Sequence, residues 1–352
     1  MTNSYVKLGD LATYINGYAF KPKDRGDKGL PIIRIQDLTG NTYDKGFYDG
    51  KYPSKIEINN GDVLISWSAS LGVYLWNGGK ALLNQHIFKV IFDKKEIDKD
   101  YFIYAVRFSL KRLHQLTHGA TMKHIVKKDF DNVVIPYPSI KKQKEIAFNL
   151  DKIESIIKTR QQEIRMLDTL IKARFVEMFG DPICNSKNKS TTKFINVVKL
   201  QRGFDLPIRK RNTQGKIPVY GSNGVLGYHD EFKASSGIIT GRSGTIGKVY
   251  YENNEFWPLN TALFSVKTYG NNIIYLKYLV SLFKLERFCN GAGVPTLNRN
   301  DVHKQKIIDI PIKEQNKFAS FVQQVDKSKV AIQKSLDETQ TLFDSLMQKY
   351  FS

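Results

Sequence analysis

Residues 143–180 read QKEIAFNLDKIESIIKTRQQEIRMLDTLIKARFVEMFG, and the spacing of their apolar side chains decides the fold. Ile146, Ile153 and Leu167 fall on a seven-residue repeat that Arg160 and Arg174 complete, while Leu150, Ile157, Ile164, Ile171 and Met178 fill the complementary position. Apolar residues three and four apart lie on one stripe of a helix, and a stripe sustained over five heptads is the mark of a coiled coil rather than an ordinary surface helix. Gly180-Asp181-Pro182 ends it, because glycine accepts the left-handed cap and proline cannot extend the turn.

The same pattern is written again near the end of the chain. Phe318, Val325, Ile332, Thr339 and Leu346 alternate with Val322, Lys329, Leu336, Phe343 and Tyr350. The duplication extends beyond the helices: Gln143 answers Gln315, Ala147 answers Ala319, Glu154 answers Asp326 and Phe179 answers Phe351, each 172 positions on. Upstream the offset drifts as loops change length, with Gly72 set against Gly247, Asn84 against Asn260, and Gly17-Tyr18 against Gly203-Phe204. One half is therefore a globular segment followed by a long helix, present twice. The expected fold is α+β: two mixed α/β domains separated by two long helices that form an antiparallel coiled coil, with a pseudo-two-fold internal repeat. The predicted boundaries are 1–138 for the first domain, 139–180 for the central helix, 181–191 for a polar linker, 192–311 for the second domain and 312–352 for the last helix. Arg160, Arg174, Lys329 and Thr339 interrupt the seams, and polar residues there fix register at a cost in stability. A helix of this length spans roughly 60 Å at 1.5 Å per residue, which suits a spacer.

Within the globular segments, short runs such as Asp62-Val63-Leu64-Ile65-Ser66-Trp67 and His86-Ile87-Phe88-Lys89-Val90-Ile91-Phe92 predict strands punctuated by turns. One helix is predicted in each, over Asp100–Leu116 and Ile273–Phe288.

Fifty-four Lys and Arg against 34 Asp and Glu give a formal net charge of +20, which implies a polyanionic partner. The hydrophobic fraction of 41% excludes a disordered chain. Apolar runs such as Gly237-Ile238-Ile239-Thr240 fall far short of the ~20 residues a bilayer demands, so nucleic acid is favoured over a membrane. The first residues carry no apolar signal core, so a cytoplasmic location is expected, with Cys184 and Cys289 reduced.

Three stretches then follow one order in both halves. They are Gly119-Ala120-Thr121, Ile135-Pro136 and Gln143-Lys144-Glu145-Ile146-Ala147, then Gly293-Val294-Pro295-Thr296, Ile310-Pro311 and Glu314-Gln315-Asn316-Lys317-Phe318-Ala319. In this order the whole chain resembles the specificity subunits of type I restriction-modification systems, in which two target-recognition domains alternate with helical spacers. The resemblance implies a non-catalytic DNA-binding subunit of a methyltransferase and restriction endonuclease complex. It implies that each domain reads half of a split, asymmetric site on double-stranded DNA. It further implies that the helices dock DNA adenine methyltransferase subunits and that a restriction/translocase subunit joins them. S-adenosylmethionine, ATP and magnesium are then expected on those partners, and no cofactor in this chain.

Bases are specified by Arg or Lys on guanine and by Asn or Gln on adenine, whereas affinity comes mostly from phosphates. Candidate DNA contacts are Arg34, Gln36, Trp67, Ser68, Asn84, Gln85, His86, Thr121 and Lys123 in the first domain. In the second they are Arg209, Lys210, Arg211, Asn223, Arg242, Ser243, Asn260, Thr261 and Arg299. Lys127 and Lys128, like the 209–211 run, suit phosphates better than bases. Each of these residues has a plainer reading as a solvated charge or a turn-forming amide. Gly241-Arg242-Ser243-Gly244-Thr245-Ile246-Gly247-Lys248 has the look of a phosphate loop but lacks its first glycine, and Val249 stands where Ser or Thr should follow. A glycine-rich hairpin presenting Arg242 and Ser243 is expected instead. His114 and His118 have helical spacing but no completing ligands, so no metal site is expected. The competing function classes are a self-contained nuclease, tested by incubation with magnesium and DNA, and a nonspecific DNA-binding coiled-coil adaptor, tested by competition with shuffled DNA.

Overall fold

The structure, a computed structural model, describes residues 4–41, 44–68, 70–116, 127–212, 214–290 and 293–352, the side chains of 113–116 excepted. It divides into two compact units, Met1–Thr159 with Leu336–Ser352, and Arg160–Ser335.

In the first unit, strands Thr13–Asn16, Ile87–Ile91, Val63–Ser66 and Gly72–Leu75 lie in that order in an antiparallel sheet. Val63-Leu64-Ile65-Ser66 is buried along its whole length because the sheet is covered on both faces. Val63 and Ile65 point into the cluster that includes Tyr101, Phe102 and Ala105 of helix Lys99–Leu116. Leu64 points the other way, into the cluster of the second sheet with Ile32, Ile58 and Leu82. A strand buried on both faces reads as a continuous apolar run rather than an alternation. The second sheet orders Phe47–Tyr48, Leu30–Ile33, Ala81–Leu83 and Glu57–Ile58, its middle pair parallel.

The second unit repeats this frame. Strands Lys199–Arg202, Ala262–Lys267, Gly237–Gly241 and Val249–Glu252 form the first sheet, and Gly224–His229, Ile217–Gly221 and Trp257–Pro258 the second, again with one parallel pair. Ile238 faces the helix-side core with Tyr275 and Leu279, and Ile239 faces Phe256 and Phe264. Each frame is closed by a two-stranded ribbon, Tyr5–Lys7 on Val134–Pro136 and Thr191–Lys193 on Lys306–Ile308.

The long helices run over Ile140–Phe179 and Ile312–Phe351, and each gives one half to each unit. In the first unit, Ile146, Ala147 and Leu150 share a core with Met347 and Phe351. In the second, Ile171, Phe175 and Phe179 share one with Phe318, Ala319 and Val322. The start of one helix thus meets the end of the other inside each unit, which makes the pairing antiparallel. Every apolar seam position is buried or half-buried. Gly180, at φ +83°, ends the central helix.

Three sequence expectations need correction. The second-domain helix stops at Leu282, because Lys284 turns left-handed at φ 54° and Leu285–Phe288 continues as a tighter 3-10 turn. Asn84 is not the counterpart of Asn260. The Asn84 N–H donates to the Ile33 carbonyl at 3.0 Å as the Leu259 N–H does to that of Tyr220 at 2.8 Å, so Leu259 matches Asn84 and Asn260 matches Gln85. Ser66 and Gly241 match, since they pair with the equivalent Ile87 and Ala262, so Val249, registered on Thr240, answers Val73, registered on Ile65, and Gly72 answers Lys248 rather than Gly247. The pairing of Gly17 with Gly203 is in register: a Cβ on either would strike backbone carbonyl oxygens, Asn84 O at 2.2 Å and Leu259 O at 2.3 Å.

Candidate nucleic-acid interface

The hairpin between Gly237–Gly241 and Val249–Glu252 leaves residues 242–248 as a loop at one end of the second body. This loop is tied down by backbone bonds. Arg242 N–H donates to Thr261 O at 2.8 Å and Ser243 N–H to the same oxygen at 3.2 Å, while Leu297 N–H donates to Arg242 O at 2.8 Å. The Arg242 guanidinium adds a bond from Nε to the Asn260 carbonyl at 2.8 Å. Lys248 Nζ donates to Asn223 Oδ1 at 2.8 Å. The Asn260 amide donates in turn to Asp205, which opens the segment carrying Arg209, Lys210 and Arg211. Arg209 and Lys210 are exposed on the turn Ile208–Lys210, whereas Arg211 turns back to donate twice to Leu206 O at 3.3 Å. The fold therefore brings Asn223, Arg242, Ser243, Asn260 and Thr261 together. Arg299 begins the helix just beyond Leu297. Lys248, absent from the sequence-based candidates, joins this cluster through its bond to Asn223; its place at the hairpin's far stem is the signal in the sequence.

In the first body Trp67 N–H donates to His86 O at 3.4 Å and Gln85 N–H to Tyr18 O at 3.0 Å. The Trp67 indole donates to Asn16 Oδ1 at 3.2 Å and lies on the Phe88 ring, with centroids 5.8 Å apart and planes at 28°. Gln85 is exposed and His86 half-buried, their side chains 3.1 Å apart. Ser68 and Asn84 are buried. Arg34 is engaged within its own domain: its side chain is 13% exposed, 3.6 Å from Asp37, and donates to the Asp44 carbonyl. Gln36 is half-buried, on the short helix Ile35–Leu38. Lys127 pairs with Asp131 at 2.7 Å and lies 5.9 Å above the Tyr14 ring, and Lys128 is exposed. Thr121 and Lys123 lie outside the described residues.

On the flank of the second cluster, the buried His303 accepts the Leu200 N–H at Nε2, 3.0 Å away. Burial, and then the charges of Arg299 and Lys199, hold its imidazole below the usual range. Among the described residues no helix is long and apolar enough to cross a membrane, and no group of three or more His, Cys, Asp and Glu is placed to hold a metal ion.

Known proteins are similar to this chain in sequence and in fold. The model of the type I restriction modification DNA specificity domain matches residues 2–166 and 186–339. The specificity subunit of the type I restriction enzyme EcoBI of Escherichia coli is 26% identical over 170 residues, covering 47% of this chain and 35% of that one. The MjaVIII specificity subunit of Methanocaldococcus jannaschii is 28% identical over 264 residues, covering 72% and 58%. The matches thus span between a third and somewhat over half of those relatives' own lengths. The crystal structure of the S subunit of a type I restriction-modification system from M. genitalium superposes with a TM-score of 0.60 at 16% identity, over 100% of this chain and 96% of that one, which establishes the shared fold. With its model matched once on each half, the chain belongs to the type I restriction modification DNA specificity family.

Proposed function

We propose that this chain is the non-catalytic specificity subunit of a type I restriction-modification complex, each globular body reading one half of a bipartite, asymmetric site on double-stranded DNA. The observation that carries the reading is the duplication itself. One frame of strands and helix is built twice, and the loops it carries hold unlike side chains, as two heads reading unlike half-sites require. The net charge of +20 supplies the phosphate attraction on which such binding rests.

The two long helices are the docking elements for DNA adenine methyltransferase subunits. Phe148 and Ile156 on one half of the central helix, Met166 and Leu170 on the other, and Val330 on the last helix all stand exposed. Apolar side chains on an outward helix face suit a partner surface better than water. A restriction/translocase subunit completes the complex, and S-adenosylmethionine, ATP and magnesium belong to these partners. The work is done in the cytoplasm, on the cell's own and incoming DNA.

Methylome sequencing tests the reading. Cells carrying this chain with its methyltransferase are expected to gain adenine methylation at one split sequence, and cells carrying the methyltransferase alone are not. An unchanged methylome contradicts it.

A further inference from the structure

Residues 67 and 242 occupy one position in the two copies of the frame. Each follows the end of the strand buried on both faces, Val63–Ser66 or Gly237–Gly241. Each donates its N–H across to a carbonyl two residues beyond the matched pair Asn84 and Leu259, that of His86 in one case and of Thr261 in the other. The backbone is equivalent, but the side chains are an indole and a guanidinium.

We propose that this position reads a base in each half-site, and that Arg242 reads guanine; the inference deepens the specificity reading above and rests on it. Arg242 is half-buried, and its amide, its carbonyl and its Nε are held by Thr261, Leu297 and Asn260. A guanidinium held through Nε keeps the edge formed by its two terminal nitrogens for another acceptor. That edge is the one that donates bidentately to guanine O6 and N7 in the major groove. Fixing it beforehand lowers the entropy lost on contact. Among the described residues no carboxylate forms an ion pair with Arg242, unlike Arg34, which lies beside Asp37. Trp67 cannot reproduce the bidentate bond. Its indole N–H goes to Asn16 and its ring lies on Phe88, so this head meets a base through an apolar face, as a thymine methyl allows. The guanine requirement therefore belongs to one half-site only.

The test is selection of duplexes from a randomised library by the full chain, comparing wild type with Arg242→Gln and Arg242→Lys, with melting temperatures measured alongside. Wild type is expected to select a split motif. Arg242→Gln is expected to lose guanine discrimination at one position of one half by ten-fold or more, with the other half and the melting temperature unchanged. Arg242→Lys keeps a weaker guanine preference, since lysine can still donate to O6 or N7. A motif identical at every position in Arg242→Gln overturns this inference alone. Absence of any motif with wild type removes the specificity reading and this inference with it.

Discussion

Gln143 and Gln315 make the same pair of hydrogen bonds at the start of the two long helices. Each amide oxygen accepts the backbone N–H of the residue that caps the domain helix, Asp98 or Asn272, at 2.9 Å. Each amide nitrogen donates to a carbonyl five residues back, Pro138 at 2.8 Å and Ile310 at 2.7 Å. Both side chains are fully buried, at 0% and 1% exposure. The first turn of each long helix is thereby locked to the body that precedes it, which couples the globular frame to the helix.

Removing that lock has a predictable cost. Gln315→Ala strands the Asn272 N–H and the Ile310 carbonyl, and each buried group left without a partner costs about 1 to 3 kcal/mol. A loss of about 2 kcal/mol or more is expected in denaturant unfolding followed by a probe in the second unit. A change under about 0.5 kcal/mol contradicts the assignment.

At the seam, Arg174 crosses to the other helix over the Phe321 ring, 5.7 Å from its centroid, and Lys329 makes an ion pair across. The Lys329 Nζ lies 2.6 Å from Asp168 and 3.6 Å from Asp326, whereas Arg160 and Arg174 form ion pairs along their own helix with Glu163 and Glu177, both at 2.8 Å. Because Asp168 is half exposed, the pair is screened and is worth about 0.5 to 1 kcal/mol. A double-mutant cycle with Lys329→Ala and Asp168→Ala is expected to return a coupling of that size; zero coupling removes Lys329 as a register pin.

The helices were legible because a seven-residue apolar period depends only on local geometry, so Ile146 to Met178 identify their own face. The strand over Val63–Ser66 was legible for the related reason that a doubly covered strand needs no polar positions. What the sequence hid was non-local. The counterpart of Asn84 is set by a hydrogen bond to Ile33, and a drift of one residue in loop length disguises it as Asn260. The helix end at Leu282 depends on Lys284 entering a backbone region that lysine rarely adopts. At the candidate interface, Arg34 looked available, although Asp37 three residues on is the spacing of a helix-start partner. Arg242 was legible as a loop cation, but its fixing by Asn260 was not.

Stability of the second unit should fall with acidity. His303 is a base held below its ordinary value of about 6.5 by burial and neighbouring cations, so the unfolded chain takes up the proton first. The stabilising contribution is present above the unfolded value and is lost as pH falls from there through the depressed folded value. Protonation also turns Nε2 from acceptor to donor against the Leu200 N–H. Melting temperature is expected to drop between pH 7 and pH 5, and less steeply in His303→Asn. Equal slopes in both proteins contradict this.

Lys127 and Lys128 are proposed phosphate contacts. Replacing both with Glu is expected to weaken binding to every duplex alike and to lower the magnitude of the slope of log affinity against log salt by about 1 to 2. A slope equal to that of the wild type takes both lysines out of the interface.

The most direct measurement is competition binding of the full chain at fixed physiological salt, with a duplex carrying the split sequence found by methylome sequencing set against shuffled duplexes of the same composition. Two dissimilar reading heads predict a preference of about a thousand-fold or more for the split sequence. Equal affinity for all of them contradicts sequence reading and leaves a basic scaffold in its place.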